Sequence, residues 1–88
     1  MPVNASTIAA LAIYDTIAIY MPENKQRIKV KWINDVYVDG RKISGVLVTF
    51  QQDSGYRLDI GIGVNLNSCP LEGACCLKDV LGYSVNVD

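Results

Sequence analysis

The sequence predicts an α+β fold, a mostly antiparallel sheet packed against helices. Three observations predict it. An apolar run at helical spacing near the N-terminus gives way, after Pro22, to segments that alternate with a period of two. An Asp39-Gly40 pair stands between two of those segments, where a two-residue hairpin turn belongs. A second polar turn, Asp53-Ser54-Gly55, separates the next two.

Residues 4–20, NASTIAALAIYDTIAIY, read as one helix, with Asn4 or Ser6 placed to accept from an orphan N–H of its first turn. Ala9, Ala12, Ile13, Ile17 and Tyr20 form a stripe, and Ile8, Leu11 and Ile19 widen it. A helix apolar over so much of its circumference is expected to be covered by other elements. Pro22 ends it, because the residue before a proline is pushed out of the α region. In RIKVKW, Ile28, Val30 and Trp32 point one way while Arg27, Lys29 and Lys31 point the other. A short run, Val36-Tyr37-Val38, leads into the Asp-Gly turn. Residues 42–51 form the returning strand and residues 56–66 the next one. The segment 67–74 reads as irregular, residues 75–82 as a short helix closing at Gly82, and the tail has no decisive pattern.

With 88 residues, the chain has room for one small domain. Half of it is hydrophobic and 19% is charged, which opposes disorder. The net charge of −1 gives no reason to propose nucleic acid or an anionic membrane as partner. There is no histidine, which removes the commonest general base and the commonest zinc ligand, and with them a Ser-His-Asp triad within this chain. Cys69, Cys75 and Cys76 are an odd number without C-x-x-C spacing, so no metal site is expected and a reducing compartment, the cytoplasm, fits best. The longest apolar stretch, Ile8 to Met21, interrupted by Asp15 and Thr16, has 14 positions, short of the ~20 needed to span a bilayer.

Two stretches carry chemistry. In the strand from Leu58 to Leu66, Leu58, Ile60, Ile62, Val64 and Leu66 share one face, and Asp59, Gly61, Gly63 and Asn65 share the other. Glycine in a strand interior marks a place where a ligand or another backbone approaches closely. The glycine face is therefore either the wall of a ligand pocket or a seat for helix 4–20. The G-x-G here is neither a dinucleotide fingerprint nor a phosphate loop, since the third glycine and the opening helix are missing. The second stretch is Asn34-Asp35 with Lys42 across the hairpin. A lysine so placed can stabilise charge on a phosphate or carboxylate. The same residues also suit an ordinary solvated hairpin.

The runs Lys31-Trp32-Ile33-Asn34-Asp35-Val36-Tyr37-Val38, Gly40-Arg41-Lys42-Ile43-Ser44-Gly45-Val46-Leu47 and Gly61-Ile62-Gly63-Val64-Asn65 resemble the catalytic domain of biotin–protein ligases. That family shows K-W-P-N-D, then [RK]-K-[ILV]-x-G-[IV]-L, then G-x-G-x-N at about this separation. Lipoate ligases share the Asn-Asp and Lys-x-x-Gly elements but usually lack the Lys-Trp lead-in and the G-x-G-x-N strand.

The resemblance implies a two-step reaction. Biotin and ATP form biotinyl-adenylate with Mg2+ managing the phosphates, and the acyl group then passes to a lysine of the biotin carboxyl carrier domain of a biotin-dependent carboxylase. It makes Lys42 the central catalytic residue. Asp35 is a candidate to orient or deprotonate the incoming amine, a role that normal carrier transfer by Asp35→Ala would remove. Gly45 and Leu47 match positions lining the biotin pocket, Asn65 matches one contacting the adenylate, and Asn34 matches one near the phosphates. Gly61 and Gly63 complete the substrate-binding set. Regular strand parity puts Lys42 on the face opposite Gly45 and Leu47, so an irregularity is expected between Arg41 and Gly45.

Two departures from the family pattern bear on activity. Ile33 replaces the usual proline, which loosens the turn before Asn-Asp. The family's glycine- and arginine-rich loop is not found before residue 31, and the small β domain that follows the core is missing. Residues 1–88 therefore read as the central and C-terminal part of such a catalytic domain. Lacking several transition-state donors, each worth roughly 10²–10³ in rate, the chain alone is expected to make no measurable biotinyl-adenylate. Biotin-dependent pyrophosphate release would refute that. A non-catalytic ligand-binding or assembly module retaining the ligase core, or a lipoate–protein ligase-like activity, is the alternative. A biotin acceptor is excluded, because no Met-Lys-Met-like turn occurs.

Overall fold

The computed structural model describes residues 2–31, 34–69 and 71–87. Helix α1 (Pro2–Tyr20) leads through a 3-10 turn, Lys25–Arg27, into β1 (Ile28–Lys31), β2 (Asp35–Val38), β3 (Arg41–Gln52) and β4 (Tyr56–Val64), and a short helix α2 (Leu77–Leu81) follows. The strands make one sheet in the order β1-β2-β3-β4, every neighbour antiparallel. This is the expected α+β architecture.

The turns follow from residue chemistry. Asp39 and Gly40 take φ of 52° and 79°, the two left-handed positions of a type I′ hairpin, so Val38 faces Arg41 directly. The turn at residues 53–55 closes with the Asp53 N–H donating to the Gly55 carbonyl, while the Ser54 N–H donates to the Asp53 carboxylate. The Arg27 guanidinium donates to the Asp39 carboxylate through Nε at 2.8 Å and through Nη2, tying the start of β1 to the hairpin tip. That pair holds the Asp39 carboxyl below its ordinary range and raises Arg27. At the other end, Gly82 caps α2 at φ 84°, its N–H donating to the Lys78 carbonyl. The tail is docked rather than loose. Asn67 brackets Val85, accepting from its N–H at 2.7 Å and donating to its carbonyl at 2.9 Å.

The core lies between α1 and one face of the sheet. Ala9, Ala10, Ile13, Ile17, Ala18 and Met21 are buried against Ile28, Val36, Val38, Ile43 and Val46. This corrects the helix reading in two ways. The helix begins at Pro2, which tolerates a first turn because its missing N–H has no helical partner there, so Asn4 and Ser6 lie inside the helix and not at its cap. The buried stripe is also rotated from the expected one: Ala12 is exposed and Tyr20 partly so, while Ile8 and Ile19 are 67% and 75% exposed. Only one layer covers the helix among the described residues, so its far side meets solvent. Val30 is likewise partly exposed at the β1 edge. The readings of Trp32 and Ile33 lie outside the described residues.

The apolar residues of β4 alternate as expected but are not covered. Leu58, Ile60, Ile62 and Val64 are exposed, because β4 is the edge strand and α1 sits mainly over β3 and β1.

Candidate functional site

The site is built by one extra residue in β3. Val36 faces Ser44, but Tyr37 faces Lys42, so Ile43 is inserted opposite the step between Val36 and Tyr37. This bulge is the irregularity expected between Arg41 and Gly45. It lets Ile43 bury itself fully in the core while Lys42, before it, points to the opposite face. Beyond the bulge the parity is shifted, and Lys42, Gly45 and Leu47 share a face.

Groups outside the β2–β3 ladder satisfy the backbone around the bulge. The Lys42 carbonyl accepts from the Cys75 N–H at 2.9 Å, and the Ile43 carbonyl accepts from the Asn65 N–H at 2.9 Å, just past the end of β4. Asn65 Nδ2 donates to the Cys75 carbonyl at 3.1 Å, and the Asn65 carbonyl accepts from the Leu77 N–H at 2.9 Å. Ser44, itself buried, donates its hydroxyl to the Gly63 carbonyl at 2.6 Å. The Cys75 thiol is buried beside the Arg41 carbonyl, and burial pushes its pKa up. Cys75 and Cys76 are buried, Cys69 is partly so, and all three are free thiols.

Across β3–β4 the register sets Gly45 opposite Gly63 and Leu47 opposite Gly61. The three glycines and Leu47 floor a trough of about 480 Å³, with Asp35 and Lys42 at one end. That volume is in the range of small-molecule sites, roughly 300–1,000 Å³. Lys42 Nζ lies 3.4 Å from Asp35 Oδ1, and both side chains are partly exposed. A second hollow of about 290 Å³ shares Lys42, Gly45 and Gly63 with the first and adds Asn65, Leu71 and Ala74. Helix α1 packs on the other face, so the glycine face is open and does not seat the helix.

The predicted residues thus come together, with two qualifications of place. Asp35, Lys42, Gly45, Leu47, Gly61 and Gly63 line the trough, and Asn65 lines the adjoining hollow. Asn34 stands in the turn before β2 and lines neither. Asn65 has a second task, bonding the Cys75 segment with its side chain. Sequence reasoning missed the part of residues 71–75, which wall the second hollow and hold the bulge. No periodic signal marks an irregular segment whose pairing with β3 runs mainly through its backbone. Chemically, an ammonium at the end of a floor made of three glycines and Leu47 can hold a carboxylate or phosphoryl oxygen while the rest of a ligand lies along the glycines.

The chain is similar in sequence and in fold to known proteins. The sequence model of the biotin/lipoate A/B protein ligase family matches residues 3–67. This chain belongs to that family. Among curated relatives of the ligase family, the biotin–[acetyl-CoA-carboxylase] ligase of Paracoccus denitrificans is 39% identical over 72 residues, covering 78% of this chain and 29% of that protein. The bifunctional ligase/repressor BirA of Escherichia coli K12 is 34% identical over 64 residues, covering 67% of this chain and 20% of that protein. The apo structure of biotin protein ligase from Aquifex aeolicus superposes with a TM-score of 0.59 at 26% identity, covering 89% of this chain and 37% of that one. The chain therefore spans well under half the length of these relatives.

Proposed function

We propose that this chain supplies the lysine-bearing floor of a biotin–protein ligase site. The observation that carries the reading is the bulge at Ile43. It turns Lys42 onto the glycine face, where its ammonium meets Asp35 and the trough floored by Gly45, Gly61 and Gly63. A strand of regular parity has no reason to put a lysine there.

In this reading biotin lies along the glycines with its carboxylate toward Lys42. The carboxylate oxygen attacks the α-phosphorus of ATP, the bond to the β-phosphate oxygen breaks, and pyrophosphate leaves. Lys42 offsets negative charge as it grows on the phosphoryl oxygens, the moment at which a fixed cation lowers the barrier most. In the second step a carrier lysine amine attacks the acyl carbon of biotinyl-adenylate and AMP leaves. Asp35 is placed to orient that amine or accept its proton. Gly45 and Leu47 contact biotin, Asn65 contacts the nucleotide from the second hollow, and Asn34 acts near the phosphates from the turn before β2.

ATP enters as its Mg2+ complex. Among the described residues no three His, Cys, Asp or Glu side chains cluster to hold a metal. A single facing carboxylate suits an ion carried by substrate phosphates and water. The acceptor is the biotin carboxyl carrier domain of a biotin-dependent carboxylase. The cytoplasm is the compartment: three free thiols suit it, and among the described residues no helix is long and apolar enough to cross a membrane.

Calorimetry with biotin and with a non-hydrolysable biotinyl-adenylate analogue tests the reading. The chain is expected to bind the analogue more tightly than biotin, with amide shifts in NMR spectra confined to Lys42, Gly45, Gly61, Gly63 and Asn65. No binding, or shifts confined to α1, would overturn it.

A further inference from the structure

The charges of this chain are unevenly placed. Six of its eight Lys and Arg residues lie between Lys25 and Lys42, alongside two acidic residues, and the rest of the chain has two basic against seven acidic. The fold sorts the basic segment further. The Arg27 charge is answered by Asp39, and the Lys42 charge by Asp35. Lys29 and Lys31 are exposed and join no ion pair among the described residues.

Register shows where these two point. Lys31 faces Asp35 and Lys29 faces Tyr37, so both stand on the side of the sheet that carries the trough. The Lys31 ammonium sits over the Tyr37 ring, 4.3 Å from its centroid, and Tyr37 in turn faces Lys42. The β1–β2 surface is therefore a basic shelf that begins where the trough ends, at Asp35.

We infer that this shelf is the docking surface for the acceptor protein, and that the partner meets it with an acidic face around its target lysine. The inference rests on the proposed ligase reading and adds to it the chemistry of the protein substrate. The acceptor amine has to reach the Asp35–Lys42 end of the trough, because the acyl carbon to be attacked lies there. A folded domain that inserts one side chain at that end rests its flanking surface on the adjoining strands. Those strands present two ammonium groups that join no ion pair among the described residues, so an acidic surface is attracted and a basic one is repelled. The target lysine is itself cationic before it loses its proton, and acidic neighbours offset its repulsion from the shelf.

The test uses the full chain, an apo biotin carboxyl carrier domain as probe, and the variant Lys29→Glu/Lys31→Glu. Both side chains are exposed on short strands, so the variant is expected to keep the parent amide spectrum. Lys29→Gln/Lys31→Gln, which removes charge without reversing it, provides a milder second variant. Calorimetry at low ionic strength should show carrier affinity falling roughly tenfold for the Glu pair and less for the Gln pair, with the difference shrinking as salt is raised. Affinity for the biotinyl-adenylate analogue should stay unchanged. Equal carrier affinity in parent and variants, with analogue binding intact, overturns the docking surface and leaves the ligase reading standing. Failure of the parent to bind the analogue overturns the ligase reading itself, and the inference with it. A labelled DNA duplex bound by the parent and released by the variants, with carrier binding unaffected, assigns the shelf to nucleic acid and also overturns the inference.

Discussion

Replacing Gly61 and Gly63 together by alanine separates what the fold needs from what a ligand needs. A methyl group built on Gly63 meets nothing within 4 Å, and one on Gly61 meets only the Leu47 carbonyl oxygen at 3.8 Å and Cβ at 4.0 Å. Neither glycine has a positive φ. The protein itself therefore gives no reason for glycine at either position. Alanine costs less backbone entropy in a strand by roughly 0.5–1 kcal/mol per position. The double variant should be more stable by about 1–2 kcal/mol, which for a domain of this size raises the melting temperature by roughly 4–16 °C. A ligand lying on the glycine floor would meet both methyl groups, so affinity for the biotinyl-adenylate analogue should fall at least about tenfold, or about 1.4 kcal/mol. Thermal melts followed by circular dichroism and calorimetric titration read the two effects separately. A lowered melting temperature would mean that the fold requires these glycines. Raised stability with unchanged affinity would mean that the ligand does not lie on this floor.

Other expected outcomes follow from the same geometry. Lys42→Gln should abolish analogue binding in calorimetry while changing stability by no more than about 1 kcal/mol, because its partly exposed ion pair with Asp35 contributes little to folding. Ile43→Ala empties a fully buried position and should cost about 2–5 kcal/mol in a urea melt, since neighbouring strands cannot close the space. The Cys75 thiol has a raised pKa in the fold, so the folded state holds its proton longer than the unfolded one. Its contribution is complete below the unfolded thiol value and is lost as pH rises from there through the folded value, so an alkaline fall in melting temperature should be weaker in Cys75→Ala. Asp39 gives the opposite limb: its lowered pKa favours folding above the ordinary carboxylate range, and that contribution fades as pH falls through the folded value, an acid loss that Arg27→Gln should reduce.

Much of this was legible along the chain. The Asp39-Gly40 hairpin, the turn at residues 53–55 and the cap at Gly82 rest on local backbone chemistry, which acts over two or three residues and needs no partner. The alternation in β4 was legible as well, because strand parity is a local count, and that count conflicted with the single ligand that the family resemblance implies for Lys42, Gly45 and Leu47. Residues 71–75 were not legible. Their part is to donate to and wall off a bulge some thirty positions earlier, and backbone donors leave no trace in residue type.

What the sequence determined alone was the set of elements and the turns, which follow from spacing and side-chain type; Lys42, Asp35 and the glycines of β4 stood out by pattern, whereas Gly45 and Leu47 entered the candidate site through the family resemblance. Tertiary structure decided which stripe of α1 is buried, which face of the sheet it covers, and therefore that the glycines face outward. An amphipathic pattern records that a face exists, but the face that becomes covered depends on what packs there. Tertiary structure also placed the one inserted residue at Ile43, since a bulge is a mismatch between two strands and neither strand defines it alone. Lys42 and the glycines become a single site only through that mismatch.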